Sequence, residues 1–339
     1  MVNVAVDVMQ KEPIPFDKFT TFEPLDDVNP ILACQPPEWG AAAHAMVIDD
    51  TVHYLWARRK LNNYWMLMHS TAPTKRPWEV EHDSRNPVLL PADFGFDDFT
   101  VEYPFPFLNP IDGQLYAYYL GRQKRPPKQT GLIMCESGDF GQWQRVVQSP
   151  VIAATAEHER QGSSHPSVAV VNDTIHIIYT GESTNAPNIC RATAPTTNPA
   201  NVSKDPANPI FTGSGQAWDS CGVREAEILV GSNYFHIFYG GSDGEVWRIG
   251  HVRTKDFLNF ESNPKNPILS PDRHSAAWDR DGLLTPQVFH MDGHYYMLYA
   301  GKKGNEWQTG LAKGAAVVAN QQHSAATPGI MTKTSWKRS

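Results

Sequence analysis

The 339-residue chain has little cysteine: Cys34, Cys135, Cys190 and Cys221 are scattered with no CxxC pair, which excludes a zinc ribbon and a dense disulfide framework. It also has little positive charge. A net charge of −7 and a pI near 6.0 leave no basic stripe for nucleic acid. No run approaches the ~18 uninterrupted apolar residues of a membrane span. Met1 to Pro15 lacks the basic start and apolar core of a secretory signal. The expectation is a cytoplasmic protein with neither a nucleic-acid nor a membrane partner, in which the Asn201-Val202-Ser203 sequon carries no sugar.

What is present is a repeat. Asn29-Pro30-Ile31-Leu32, Asn86-Pro87-Val88-Leu89, Ser149-Pro150-Val151-Ile152, Asn208-Pro209-Ile210-Phe211 and Asn266-Pro267-Ile268-Leu269 place their prolines 57, 63, 59 and 58 residues apart. A fixed period of this size marks an architecture in which each unit completes its core against its neighbours. Each phrase leads to two apolar runs joined by a turn, as in residues 166–171 and 174–179 around Asn172-Asp173. Asp49-Asp50, Asp112-Gly113, Ser232-Asn233 and Asp292-Gly293 hold the same place, and these residue types suit tight hairpins. Third strands follow at 64–69, 131–136, 188–193, 247–253 and 309–313. Four antiparallel strands repeated five times predict an all-β, five-bladed β-propeller. Residues 17–24 supply the outer strand that the last unit lacks, so the N-terminal segment closes the ring and no sheet edge is left open. The reading divides the chain into an extension at 1–16, one propeller domain at 17–318 and a flexible polar tail at 319–339.

In a propeller the first strand of each blade lines the central channel. Those strands are expected to start at Ala42-Ala43-His44, Glu102-Tyr103-Pro104, Ser164-His165-Pro166, Arg224-Glu225-Ala226 and Leu284-Thr285-Pro286, which brings two carboxylates and two imidazoles together. Glu225, Glu102 and His165 are the candidate catalytic residues among them. For Glu225 the bland alternative is a structural ion pair with Arg224. His44, Arg224, Tyr103, Trp39, Thr285, Asp281 and Arg280 are candidate substrate contacts, the aromatics because a ring at a channel mouth stacks on a sugar. No cofactor is required, although His44 and His165 with a glutamate would suit a divalent cation in the channel. His53, His176 and His236 share one position in the second strands and are assigned to blade structure. The repeated Trp218-Asp219 and Trp278-Asp279 pairs, with Phe96-Asp97, are likewise assigned to packing and turns.

The five-fold blade, the Asn-Pro-Ile-Leu phrase and the residue before proline at the strand start resemble the five-bladed glycoside hydrolases around families 43, 32, 62, 68, 117 and 130. That resemblance implies acidic residues on the first strands of neighbouring blades, matched by Glu225 and Glu102. It departs at Ala42, where those enzymes carry an aspartate, and at His165, although family 117 admits a histidine as acid. It implies a glycosidase acting on a small oligosaccharide or glycoside. The missing aspartate leaves open a propeller enzyme with a non-hydrolytic reaction, and a sugar-binding module without turnover is the third reading. The five channel positions carry five different residues, as one central site requires, rather than repeated ligand contacts.

Overall fold

Each repeat folds as a long hairpin widened by a third strand and a short outer one. The computed structural model describes residues 16–34, 38–60, 64–231, 233–271 and 277–316. The expected extension and tail, and Ser232 of the fourth hairpin turn, lie largely or wholly outside them. Blade one holds β2 (Trp39–Ile48), β3 (Thr51–Arg59), β4 (Trp65–Pro73) and β5 (Glu81–His82). Blade two holds β6 (Thr100–Leu108), β7 (Leu115–Arg122), β8 (Gln129–Cys135) and β9 (Gln144–Arg145). Blade three holds β10 (Gly162–Val171), β11 (Thr174–Glu182), β12 (Asn188–Pro195) and β13 (Ser203–Lys204). Blade four holds β14 (Val223–Val230), β15 (Phe235–Ser242), β16 (Trp247–Thr254) and β17 (Phe260–Ser262). Blade five holds β18 (Gly282–Met291), β19 (His294–Lys303), β20 (Glu306–Ala316) and β1 (Glu23–Pro24), which pairs antiparallel with β20. The ring is the five-bladed propeller that the period predicts, closed by the N-terminal segment.

The recurrent phrase acts as a clasp. Each asparagine side chain bonds both backbone groups of one residue in the preceding blade's third strand: Asn86 on His69, Asn208 on Arg191 and Asn266 on His251. Asn29 does the same to Leu311 across the closure. The apolar residue two places after each proline then bridges that strand, as in Leu32 with Thr309 and Leu269 with Ile249. Ser149 in blade two has no amide, and there the bridge of Ile152 to Thr130 stands without the clasp.

A second repeated device fixes the strand starts. Asp97, Asp219 and Asp279 are buried and accept hydrogen bonds from Tyr119, Tyr239 and Tyr299 of their own second strands. In blade three Glu159 takes the same part, accepting from Tyr179 and pairing with Lys204. The loop at 157–161 is thus the counterpart of the Trp-Asp segments. Trp218 lies over Gly241 and Gly250, where an added Cβ would meet the indole at 2.5 and 2.3 Å, so only glycine fits beneath it. The matching histidines are structural as expected: His53 and His236 bond His69 and His251, and His176 bonds Arg191. Blades two and five carry Tyr116 and Tyr296 at the same register.

Closure rests on packing as well as on β1. The fully buried Phe19, in a 3-10 helix at Phe16–Phe19, meets His236, Phe238, His251 and Tyr295 at ring distances of 4.9 to 5.1 Å. Phe19→Ala should therefore cost about 3–5 kcal/mol of stability in denaturant unfolding. An unchanged midpoint would show that the segment does not close the ring.

Candidate active site

Every first strand carries the same irregularity. The pairing register shifts between Ala41 and His44, Glu102 and Phe105, Ser164 and Ser167, Arg224 and Glu227, and Leu284 and Gln287. Within each bulge one residue is left-handed: Ala42 (φ 56), Tyr103 (φ 49), His165 (φ 53), Glu225 (φ 52) and Thr285 (φ 49). A β-branched threonine in this region is a genuine outlier, and bulges re-aim side chains beside functional sites. The five positions form one level of the channel, and four of their side chains line a single small cavity with His44 and Glu227.

The bulge also corrects the expected alignment. Ala42 is level with Glu225, as the five channel positions require, but His44, grouped with them, lies one level deeper with Phe105, Ser167, Glu227 and Gln287. That deeper level staples blade to blade. Ser167 accepts from Ile228 N, Glu227 from Val288 N, and Gln287 bonds both backbone groups of Ala45.

At the bulge level a charged cluster forms around a residue that the sequence did not single out. Glu182, at the end of β11, accepts from Lys128 Nζ at 2.7 Å and from Ser164 Oγ at 2.6 Å, and lies 3.4 Å from Arg224 Nη2. Because Ser164 gives its hydrogen to Glu182, it accepts from His165 Nδ1 at 2.6 Å. His165 Nε2 is left as a lone pair 3.2 Å from Glu225 Oε1. Arg224 Nε lies 3.0 Å from the same oxygen, an ion-pair contact whose N–H direction falls short of a hydrogen bond. Glu225 Oε2 is buried with no partner.

Electrostatics separate the two carboxyls. Burial raises Glu225 above the ordinary carboxylate value against the pull of Arg224 and Lys128, and burial pushes His165 well below that of a histidine. Burial thus favours the neutral form of both groups, and the two titrate as a pair. Burial acts upward on Glu182 too, but Lys128 and Arg224 outweigh it and hold that carboxylate low and ionised.

The remaining candidates are distributed around this cluster. Glu102 is buried, accepts from Thr100 Oγ1 at 2.7 Å, and is raised by burial against Lys128 and Arg122. Burial, aided by Glu225 and Glu102, pushes the Tyr103 hydroxyl well up, and its ring stands edge-on to His165 at 3.8 Å. One face of Trp39 is covered by the Arg59 guanidinium at 3.7 Å, so that face is not free for a sugar. Arg280 and Asp281 pair with each other at 3.4 Å on a half-exposed strand start, and Asp281 accepts from Gly304 N. Among the described residues, no three His, Cys, Asp or Glu side chains are grouped to hold a metal ion. Glu182 carried one signal: at the matching position near the end of each second strand the blades hold Arg59, Arg122, Glu182, Ser242 and Lys302, of which Glu182 alone is acidic.

No protein-family model matches the chain. It is 31% identical over 104 residues to a β-1,2-mannobiose phosphorylase of Thermoanaerobacter sp. (strain X514), an alignment covering 26% of this chain and 33% of that protein. The chain spans about a third of the length of the curated relatives it matches. In fold it is similar to a solved glycoside hydrolase, at a TM-score of 0.69 and 11% identity over 96% of this chain and 97% of the other. It is also similar to a structure from work on the GH130 family of mannoside phosphorylases, described as containing glycoside hydrolases that target β-1,2-mannosidic linkages in Candida mannan. There the TM-score is 0.67 and the identity 13%, over 94% of this chain and 99% of that one. The resemblance is thus to the five-bladed glycoside hydrolase and phosphorylase group, in fold over nearly the whole chain and in sequence over about a quarter of it.

Glu182 raises the Glu225 carboxyl by its charge. Glu182→Gln leaves Lys128 and Arg224 unneutralised, so the Glu225 pKa should fall, read by carboxyl 13C titration of the folded protein. An unchanged or higher value would remove Glu182 from the cluster's electrostatics.

Proposed function

We propose that the protein is a carbohydrate-active enzyme that cleaves a glycosidic bond of a small oligosaccharide or glycoside in the channel, with Glu225 giving its proton to the leaving oxygen. One observation carries this reading: of five equivalent left-handed positions, one holds a buried carboxyl whose pKa burial raises above the ordinary carboxylate value and which has an unpartnered oxygen. A departing sugar oxygen needs such a donor. After transfer the carboxylate is stabilised by Arg224 beside it, and His165, oriented through Ser164 and Glu182, keeps its lone pair toward Glu225. Glu102 is the second carboxylate, facing Glu225 from a blade that is not its neighbour.

The relatives' names favour a β-mannoside as substrate and phosphate as an acceptor in place of water. The cations Arg59, Arg122 and Lys128 acting on Glu102 support an anion on that side of the mouth. Incubating the protein with β-1,2-mannobiose, with and without inorganic phosphate, separates the outcomes: mannose 1-phosphate marks phosphorolysis and free mannose alone marks hydrolysis. Glu225→Gln keeps shape but removes proton transfer, so kcat should fall at least about 10²-fold with unchanged folding. His176→Tyr, which copies Tyr116 of blade two, should leave turnover intact. Turnover of Glu225→Gln within a few-fold of wild type would sink the assignment.

A further inference from the structure

Two residues with unpartnered buried atoms line one small cavity in the channel. Glu225 Oε2 and His44 Nδ1 are both buried without a hydrogen bond, on residues that are 5% and 7% exposed, and both residues line the same cavity with Thr285 and Glu227 in its wall. Leaving such atoms unsatisfied costs about 1–3 kcal/mol each. The two come from different levels of the channel and from blades one and four, so no shared repeat geometry produces the pairing.

Their chemistry restricts what can fill the gap. The Pro104 carbonyl acts on His44 as a backbone hydrogen-bond acceptor, so the other ring nitrogen carries the hydrogen and Nδ1 presents a lone pair; burial holds this imidazole neutral, at about 4. Glu225 Oε1 is the oxygen that faces His165 Nε2, at 3.2 Å, so a proton shared between the two sits on that side. Oε2 is therefore an acceptor too, as it would be in the ionised carboxylate. Two acceptors facing one space need an occupant that donates twice. A sugar hydroxyl donates once, a carboxylate not at all, and a phosphate is too large for the space. The cavity offers about 10 Å³ to a water-sized body, near the lower limit for one molecule.

We infer that the channel floor is a binding site for a single water, which donates one hydrogen to His44 Nδ1 and the other to Glu225 Oε2, and that His44 acts through it as a positioning residue for Glu225. The water belongs to the resting enzyme and lies beneath the sugar. By donating to Oε2 it favours the ionised carboxylate and holds the Glu225 pKa below the value that burial alone would set. The pH role rests on the proposed function of Glu225; the water site itself does not.

The groups facing Glu225 are His165, Arg224, Tyr103, Lys128 and Glu182; His165 and Tyr103 line the same cavity and His44 acts on His165 by charge, so the water is read by comparing two variants that both remove the imidazole. A high-resolution crystal structure of the free protein should show one peak about 2.7–3.2 Å from both atoms. His44→Phe should lose that peak; the ring is compatible with this level, where blade two already has Phe105. His44→Gln should keep the peak through its amide oxygen and guards against a folding defect in the phenylalanine variant. If Glu225 is the acid, activity falls as pH rises through its pKa, so His44→Phe should move the alkaline limb of kcat/KM to higher pH and His44→Gln should restore it. An empty cavity in the wild type, a metal ion there by anomalous scattering, or a peak that survives in His44→Phe overturns the inference. Retained turnover in Glu225→Gln with the water peak in place would instead count against the proposed function alone.

Discussion

The left-handed residue in each first strand is the constraint on which the site depends. A regular strand alternates its side chains between the two faces of a blade and would present the channel with one residue in two. The bulge inserts an extra residue, turns its side chain inward and restores alternation beyond it. Such a conformation costs about 1–3 kcal/mol for a non-glycine residue, and the first strands hold five. Neighbouring blades impose it: Thr180 of blade three accepts the Glu225 amide at 2.8 Å, fixing the bulge of blade four from outside. Chemistry at the mouth is thereby tied to the assembly of the whole ring.

Below that level the channel has a different task. Ser167, Glu227 and Gln287 each reach across a blade boundary to backbone, whereas the bulge residues one level above reach one another. Burial pushes Glu227 well above the ordinary carboxylate value, with Val288 N its opposing influence, so it serves as a neutral staple. Two glutamates two residues apart on one strand thus take opposite parts, Glu225 at the level that varies for chemistry and Glu227 at the level that holds the ring.

The propeller was legible because its physics repeats. The Asn-Pro phrase recurs since one amide geometry clasps four third strands, and the strand-two tyrosines recur since each satisfies one buried carboxylate. The channel residues were legible for the converse reason, being the positions where the repeat fails. His44 was set one level too high because a bulge of two residues leaves no trace in hydrophobic alternation when its members are alanines. Lys128 and Glu182 escaped notice because their partnership runs across the seam between blades two and three. There Lys128 is drawn in by backbone bonds to Gln161 and Ser163, a proximity that spacing along the chain does not encode.

That seam accounts for the polarity of the site. Lys128 from blade two and Arg224 from blade four converge on Glu182 of blade three, so the ionised carboxylate is neutralised from both sides. Glu225, sharing Arg224, is left with less compensation. Burial acts upward on both carboxyls; the cations outweigh it at Glu182 and not at Glu225, so one is lowered and the other raised within a single hydrogen-bonded group. The raised Glu225 carboxyl follows from where the cations are anchored: Lys128 bonds Glu182 and acts on Glu225 only through space, so it does not offset the burial of Glu225.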